Sequence, residues 1–405
     1  MDRLVSLLGL VVMLSVAYLM SENKKAIQWR TVISGIVLQL VFGLFILKTS
    51  FGRSIFDTIG KGFNAILGYT GEGAKFLFGG LATPSESLGF IFATMVLPTI
   101  IFMSALMSVL YHLGIMQKVV EVVARVMMKV MKTSGAESLA AAANIFVGQT
   151  EAPLVIKPYV NSMTKSELMC LMTGGMATVA GGVLAAYVGF GIDAGHLLAA
   201  SVMSAPAALV CAKLMVPEVE ISATAGIVKI DLPPVATNVI DAAATGASDG
   251  LKLAVNVAAM LLAFIALIAM LNGILSGIGG LFGFPQLTFE FMMGYLNAPV
   301  AWLLGVPWED CLKVGSILGK KLVLNEFVGY LDLIAAKAEL SERSTILTTY
   351  ALCGFSNFSS IAIQLGGIGT MAPEKRGVLA AYGMRAMIAG TLACYMTACI
   401  AGILI

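Results

Sequence analysis

Apolar runs long enough to cross a bilayer recur along the whole of this chain and dictate what it can fold into. Residues 4–20, 31–47, 86–112, 166–190, 194–215, 251–275 and 378–404 are each dominated by Leu, Ile, Val, Ala, Met, Phe and Gly. A helix needs about 20 such residues to span the hydrocarbon core, where no water is available to bond a free backbone group. Across the 405 residues, 59% are hydrophobic and only 12% charged, with a mean hydropathy of +0.93. A soluble domain is about a quarter charged. An all-α integral membrane protein is therefore expected. The net charge of +2 gives no reason to look for nucleic acid. Residues 4–20 resemble a secretory signal in outline, but Tyr18-Leu19-Met20 lacks the small residues of a cleavage site, so they read as a first span.

Basic residues set the expected orientation. Lys24, Lys25 and Arg30 lie between the first two spans, which puts that loop in the cytoplasm and the N-terminus outside. Lys375 and Arg376 stand at the cytoplasmic foot of the last span, leaving the C-terminus outside. Over residues 115–133, Lys118, Arg125, Lys129 and Lys132 share one helical face, while Val119, Val122, Val123, Val126, Met127 and Val130 share the other. That pattern predicts an amphipathic helix lying in the membrane surface. The segment 51–82, mixed in polarity and broken by glycines, is expected along the interface. A polar linker over 217–248 is the sharpest change of composition. Six cysteines without CxxC spacing and two histidines give no disulfide framework, metal cluster or histidine relay. Gly315-Ser-Ile-Leu-Gly319-Lys-Lys is one residue short of a phosphate-binding loop and lacks its Ser/Thr, so direct energisation by ATP is unsupported.

The polar knot Gly148-Gln149-Thr150-Glu151 interrupts this apolar chain, with Pro153 and Pro158 beyond it. A carboxylate at membrane depth is costly and marks a functional site by default. The apolar halves on either side are each too short to span, so they are expected to form a re-entrant hairpin with both feet cytoplasmic. In the following span, Thr173 to Gly182 carries two Gly-Gly pairs. They serve either to unwind the helix and bare carbonyls for a cation, or to let helices pack closely. The pattern then recurs. Residues 309–338 are two short halves around Asn325-Glu326, and the span 345–366 is interrupted by Cys353-Gly-Phe-Ser-Asn-Phe-Ser-Ser360. An odd number of crossings separates the copies, which makes them inverted. The expected architecture is about eight transmembrane helices plus two opposed re-entrant hairpins. Residues 1–114 are expected to form the N-terminal spans and an interfacial helix, and 115–216 the amphipathic helix and first repeat. Residues 217–308 are expected to form a linker and span, and 309–405 the second repeat.

Glu151 and Glu326 sit at opposing hairpin tips, and Gln149, Thr150, Asn325, Asn357, Ser359 and Ser360 add amides and hydroxyls without charge. Such a lining suits a neutral ligand with several hydroxyls. Phe355 either offers a flat face to a ring or packs in the core. Lys320 and Lys321 either balance the nearby carboxylate or snorkel, and Arg385, inside the last span, needs a partner. The competing class is an intramembrane enzyme acting on a polar lipid precursor, with Glu151 and Glu326 as acid and base. No nucleophile paired with a base stands beside them.

Gly148-Gln-Thr-Glu-Ala-Pro, Asn325-Glu-Phe-Val and Gly354-Phe-Ser-Asn-Phe-Ser-Ser360 resemble the three signature segments of concentrative nucleoside transporters, in that family's order. The resemblance extends over essentially the whole chain, whose short N-terminus is similar to the bacterial members. It implies a homotrimer in the bacterial inner membrane, each protomer with a scaffold (1–114 and 217–308) and a mobile transport domain (115–216 and 309–405), importing nucleosides by an elevator-like motion coupled to sodium or protons. By the same resemblance, Gln149, Thr150 and Glu151 would contact the nucleobase. Glu326, Asn357 and Ser360 would hold the ribose, and Val183 and Phe355 would pack on the base. A sodium ion would be held by Asn144, the Val147 carbonyl, Thr178 and the Val179 carbonyl. Proton-coupled relatives can lack an amide at the position of Asn144, so sodium is the expected coupling ion and proton coupling the alternative.

Overall fold

The computed structural model describes residues 2–83, 91–226 and 236–405. Residues 86–90 of the expected third span and 227–235 of the expected linker lie outside the described residues. All regular structure among the described residues is helical.

The first two spans are α1 (Asp2–Leu19) and α2 (Trp29–Lys48). α3 (Ser50–Phe78) then runs unbroken for 29 residues, where a glycine-broken segment was expected. A side chain at Gly62, Gly68, Gly71 or Gly73 would meet nothing, so these glycines weaken the helix locally without any packing reason to break it. α4 (Phe92–Met95) and α5 (Leu97–His112) make the third span. The expected amphipathic helix is α6 (Ile115–Met131), which ends at Lys132 in the left-handed conformation, with φ of 59°.

α7 (Gly135–Ala143) and α8 (Ala152–Val155) are separated by unwound chain that carries the first polar knot. α9 (Lys165–Ala177) and α10 (Gly181–Gly189) are two halves of one span, interrupted at Thr178–Ala180. α7 and α9 both begin with a reciprocal capping box, Ser134 with Glu137 and Thr164 with Glu167, which fixes where each helix starts. α11 (Ala194–Met215) follows. The expected span 251–275 is the middle of a much longer helix, α12 (Val239–Leu281), whose 43 residues reach about 64 Å. α13 (Phe289–Leu304) follows, and the stretch expected to form the second repeat, 309–405, is taken up by α14 (Trp308–Val323), α15 (Glu326–Ala336), α16 (Glu342–Leu352), α17 (Phe358–Met371) and α18 (Arg376–Leu404). Asn325 caps α15 and Asn357 caps α17, each accepting a bond from the backbone N–H three residues on. Among the described residues, 7 helices or helix pairs are long and apolar enough to cross a membrane. The interrupted pair α16 and α17 completes the expected eight.

α9, α10, α11 and α18 form a deeply buried centre; α1 packs on α18, and α2 on α11. One end of this block is basic. There Arg385 finds its partner, pairing with Glu22 at 3.0 Å, while Tyr382 donates to the same carboxylate. Lys375 Nζ donates to the Met163 carbonyl at 3.0 Å, and Glu22 N to the Met215 carbonyl, so the feet of α1, α9, α11 and α18 meet. At the far end, Arg343 ties the loop before α14 to α18 through the carbonyls of Gly305 and Gly402, at 2.9 and 2.7 Å.

α12 stands apart, lying along α5 and otherwise largely uncovered. The contact depends on Gly246 and Gly250, a small-xxx-small pair. A Cβ at Gly246 would come within 2.6 Å of the Ser104 carbonyl oxygen, and one at Gly250 within 2.7 Å of Ile101 Cα. Gly250→Leu is therefore expected to destabilise the detergent-solubilised protein by about 1–3 kcal/mol, read as a lowered thermal-unfolding midpoint. Gly273→Ala, where a side chain would meet nothing, is expected to leave the midpoint unchanged or raise it.

Candidate substrate and cation site

The two interrupted spans cross at their breaks. Phe355 N donates to the Thr178 carbonyl at 3.3 Å, so one unwound stretch satisfies the other. The approach needs glycine at 354, because a Cβ there would lie 2.8 Å from the Met176 carbonyl oxygen and 2.5 Å from Cys394 Sγ. Gly181 N donates to the Phe146 carbonyl at 3.1 Å, and Ser201 Oγ to the Ile145 carbonyl at 2.9 Å, which fastens the first polar knot to the same crossing. Of the two Gly-Gly pairs, Gly174-Gly175 stays helical and makes room for neighbours. A Cβ at Gly175 would sit 2.7 Å from Gln364 Nε2 and 2.9 Å from Gln149 Cβ. Gly181-Gly182 opens α10, where a Cβ at Gly181 would lie 2.9 Å from the Phe146 carbonyl oxygen, so both pairs serve close packing, and the unwinding falls between them on Thr178–Ala180, which holds no glycine.

A hydrogen-bonded chain of buried polar side chains threads through the crossing. Tyr187 Oη donates to Glu326 Oε1 at 2.7 Å, and Asn357 Nδ2 donates to Glu326 Oε2 at 3.2 Å. Asn357 Oδ1 accepts from Ser360 N and from Ser359 Oγ. Ser360 Oγ accepts from Gln149 Nε2 at 3.0 Å, and Gln149 Oε1 accepts from Gln364 Nε2 at 3.1 Å. Gln364 is anchored in turn on the Met172 carbonyl at 3.0 Å. Glu326, Asn357, Ser360 and Gln149 thus come together from three distant parts of the sequence. Lys321, fully buried, donates to the Ala351 carbonyl at 2.7 Å, so it is anchored inside the protein and does not snorkel to the interface. Lys320 instead bridges Glu290 and Asp332, at 3.1 and 2.7 Å.

Thr150 and Glu151 stand outside this chain. Both are exposed at the knot, with Glu151 Oε2 packed over the bare face of Gly148 and within electrostatic range of Asp249 on α12. Val183 is buried on α10, Phe355 is half-buried at the break, and Asn325 serves as the cap of α15. Tyr187 and Gln364 were not anticipated. Each lies four residues beyond an anticipated residue on the same helix, Val183 and Ser360, so helical periodicity could have found them.

Asn144 is 1% exposed, and among the described residues neither its amide oxygen nor its nitrogen has a hydrogen-bond partner. An unpaired buried amide costs about 1–3 kcal/mol, and oxygen left unmatched invites a cation. A Cβ on Gly174 would lie 3.0 Å from Asn144 Nδ2, and Thr178 donates its hydroxyl to the Gly174 carbonyl at 2.9 Å. Asn144 and Thr178 therefore flank one point of α9, next to the unwound carbonyls of Thr178–Ala180. An amide oxygen, a hydroxyl and bare carbonyls are a donor set suited to a hard monovalent cation.

Crossed broken spans, with a polar chain strung between them, define a membrane carrier for a polar solute. Three family models cover the chain: the Na+ dependent nucleoside transporter N-terminus matches residues 8–81, nucleoside recognition 93–194, and the Na+ dependent nucleoside transporter C-terminus 196–402. The chain is 50% identical over 406 residues to the uncharacterized transporter YutK of Bacillus subtilis, covering 100% of both. It is 44% identical over 419 residues to sodium/nucleoside cotransporter 1 of Mus musculus, covering 100% of this chain and 64% of that one. The solved structure of CNTnw in an inward-facing substrate-bound state matches with a TM-score of 0.94 at 45% identity, covering 100% of this chain and 98% of that one. A doubly substituted CNTnw in an outward-facing state matches equally well, at 0.94 and 44%. The chain belongs to the concentrative nucleoside transporter family. It is a transporter by family, and the enzyme alternative falls.

The polar chain makes a direct forecast. Tyr187→Phe removes one bond to a buried carboxylate, worth about 1.5–3 kcal/mol, and should weaken ligand binding by about tenfold or more by calorimetry on the purified protein. Glu326→Gln should impair binding more than folding; a well-folded variant with unchanged affinity would remove Glu326 from the site.

Proposed function

We propose that this protein imports nucleosides by symport with sodium, through an elevator-type motion, as a homotrimer in the bacterial inner membrane. The ligand would lie along the buried polar chain. Glu326, Asn357 and Ser360 would hold the ribose hydroxyls, since a carboxylate accepts from two hydroxyls while an amide gives and takes one. Gln149, Thr150 and Glu151 would address the nucleobase, with Val183 and Phe355 against its faces. Sodium would be held by Asn144, Thr178 and the carbonyls of Val147 and Val179. The single observation that carries the sodium reading is the buried Asn144 with both polar atoms unpaired, beside an unwound carbonyl stretch. A proton would leave that amide oxygen unmatched.

Support for the moving parts comes from packing. α5 and α12 hold chiefly to each other, whereas α1 and α2 are packed onto α18 and α11 in the central block. This favours a scaffold narrower than residues 1–114 and 217–308, centred on α5 and α12, past which the block with both re-entrant hairpins slides. CNTnw is recorded in inward-facing, outward-facing and intermediate states, which supports large relative motion in a close relative. The uncovered apolar side of α12, with Leu251, Val255, Leu262 and Ile265 exposed, would pack copies of the trimer. The basic end of the block, by its lysine and arginine content, would face the cytoplasm and leave both termini outside.

The deciding experiment is uptake of radiolabelled uridine into liposomes holding only this protein, with sodium or choline outside at fixed pH. Accumulation that requires the sodium gradient is expected. Equal uptake in choline, driven by an inward proton gradient, would overturn the sodium reading. Asn144→Leu is expected to keep the fold and lose the response to sodium, measured as uptake against sodium concentration.

A further inference from the structure

At the basic end, a cavity of about 530 Å³ opens between the start of α2, the end of α6, the start of α7 and the chain beyond α11. Arg125, Lys129 and Lys132 line it from α6 and its cap, and Gln28, Thr31 and Ser134 add neutral polar groups. The acidic groups of this region are already engaged. Lys213 pairs with Glu137 at 2.8 Å and Glu218 at 3.2 Å. Glu167 accepts from Ser134 Oγ, from Ser222 Oγ at 2.6 Å and from Thr164 N at 2.9 Å. Arg125 is held by Glu121 one turn earlier. Lys129 and Lys132 are left exposed at the cavity with no acidic partner among the described residues.

α6 has three faces rather than two. Met116, Val120, Ala124, Met127 and Met131 are buried against the protein. Ile115, Val119, Val122, Val126 and Val130, spaced by three or four, form an apolar stripe that stays exposed. Lys118, Arg125 and Lys129 run beside that stripe, at about 100° per residue, on the side toward the cavity. A soluble anion would use the lysines and leave the stripe in water. An amphiphile with an anionic head uses both.

We infer that this cavity binds the headgroup of an anionic phospholipid, its phosphate between Lys129 and Lys132 and its chains along the valine stripe of α6. Basic pockets between helices at a membrane face are suited to such headgroups, each lysine near the surface contributing about 1 kcal/mol. The site joins α2, α6, α7 and the chain after α11, so a bound lipid would brace the foot of the first hairpin.

The test uses the full-length protein in detergent, with phosphatidylglycerol or phosphatidylcholine added and retained lipid counted by native mass spectrometry. Phosphatidylglycerol is expected to be retained and to raise the thermal-unfolding midpoint, and phosphatidylcholine to do neither. The double variant Lys129→Gln, Lys132→Gln should bind phosphatidylglycerol about 30-fold more weakly, and each single variant about fivefold more weakly. The lysines are exposed, so these variants should elute as the parent does. Unchanged retention by the double variant, or equal retention of phosphatidylcholine, would overturn the inference. Inorganic phosphate that stabilises the protein as well as phosphatidylglycerol does would make the cavity a free-anion site and sink the lipid assignment.

Discussion

Two stretches of unwound backbone inside a bilayer are the constraint on which the rest of this structure depends. Each free N–H or C=O in hydrocarbon costs several kcal/mol, and an isolated break in either span would not be sustainable. The chain meets this by crossing the breaks. The Phe355 amide satisfies the Thr178 carbonyl, and the Gly181 amide satisfies Phe146 in the first knot. Glycine at 354 permits the close approach, since any side chain there would strike the backbone at Met176 and Ala177. The breaks are thus mutually required, and removing one would strand the other.

Once the backbones cross, the side chains at the breaks and tips are forced into each other's company, and they must be satisfied there too. Glu326 is 4% exposed and is made tolerable by Tyr187 and Asn357, which both donate to it. Asn357 does double duty, capping α17 with its oxygen and serving the carboxylate with its nitrogen. Through Ser360 and Gln149 the same chain reaches the first knot. The groups that stabilise the crossing are the polar groups the proposed solute would meet, so in that proposal the binding surface and the device that holds the fold open share the same atoms.

Much of this was legible in the sequence because apolar runs, short halves and polar knots are one-dimensional signals. The interruptions at Thr178 and at Cys353 to Asn357, the amphipathic α6 and the second knot at Asn325-Glu326 all follow from patterning. What patterning could not show is pairing across the chain. Arg385 meets Glu22, and Lys320 meets Glu290 and Asp332, across separations that no helical period encodes. Nor could it say that both Gly-Gly pairs stay helical and the break falls between them, because a glycine looks the same whether it frees the backbone or admits a neighbour. α3 was misread for a related reason. Its later glycines, Gly62, Gly68, Gly71 and Gly73, interrupt the sequence but face open space, where a helix loses little by keeping them.

The proposed cation site and the polar chain share one stretch of unwound backbone. Asn144 begins it, and Gln149 sits five residues on; Phe146, between them, is fixed by Gly181 from the broken span. In the proposed symport, a cation drawing Asn144 and Thr178 together would order this stretch before a solute arrives. Gln149 would then be placed without the solute bearing that ordering cost, and the reverse must hold to the same extent, since coupling between two binding events is reciprocal. Such coupling needs no signal carried over a distance. It needs only that two sites share a segment too short to be ordered in halves, and the six residues from Asn144 to Gln149 are such a segment.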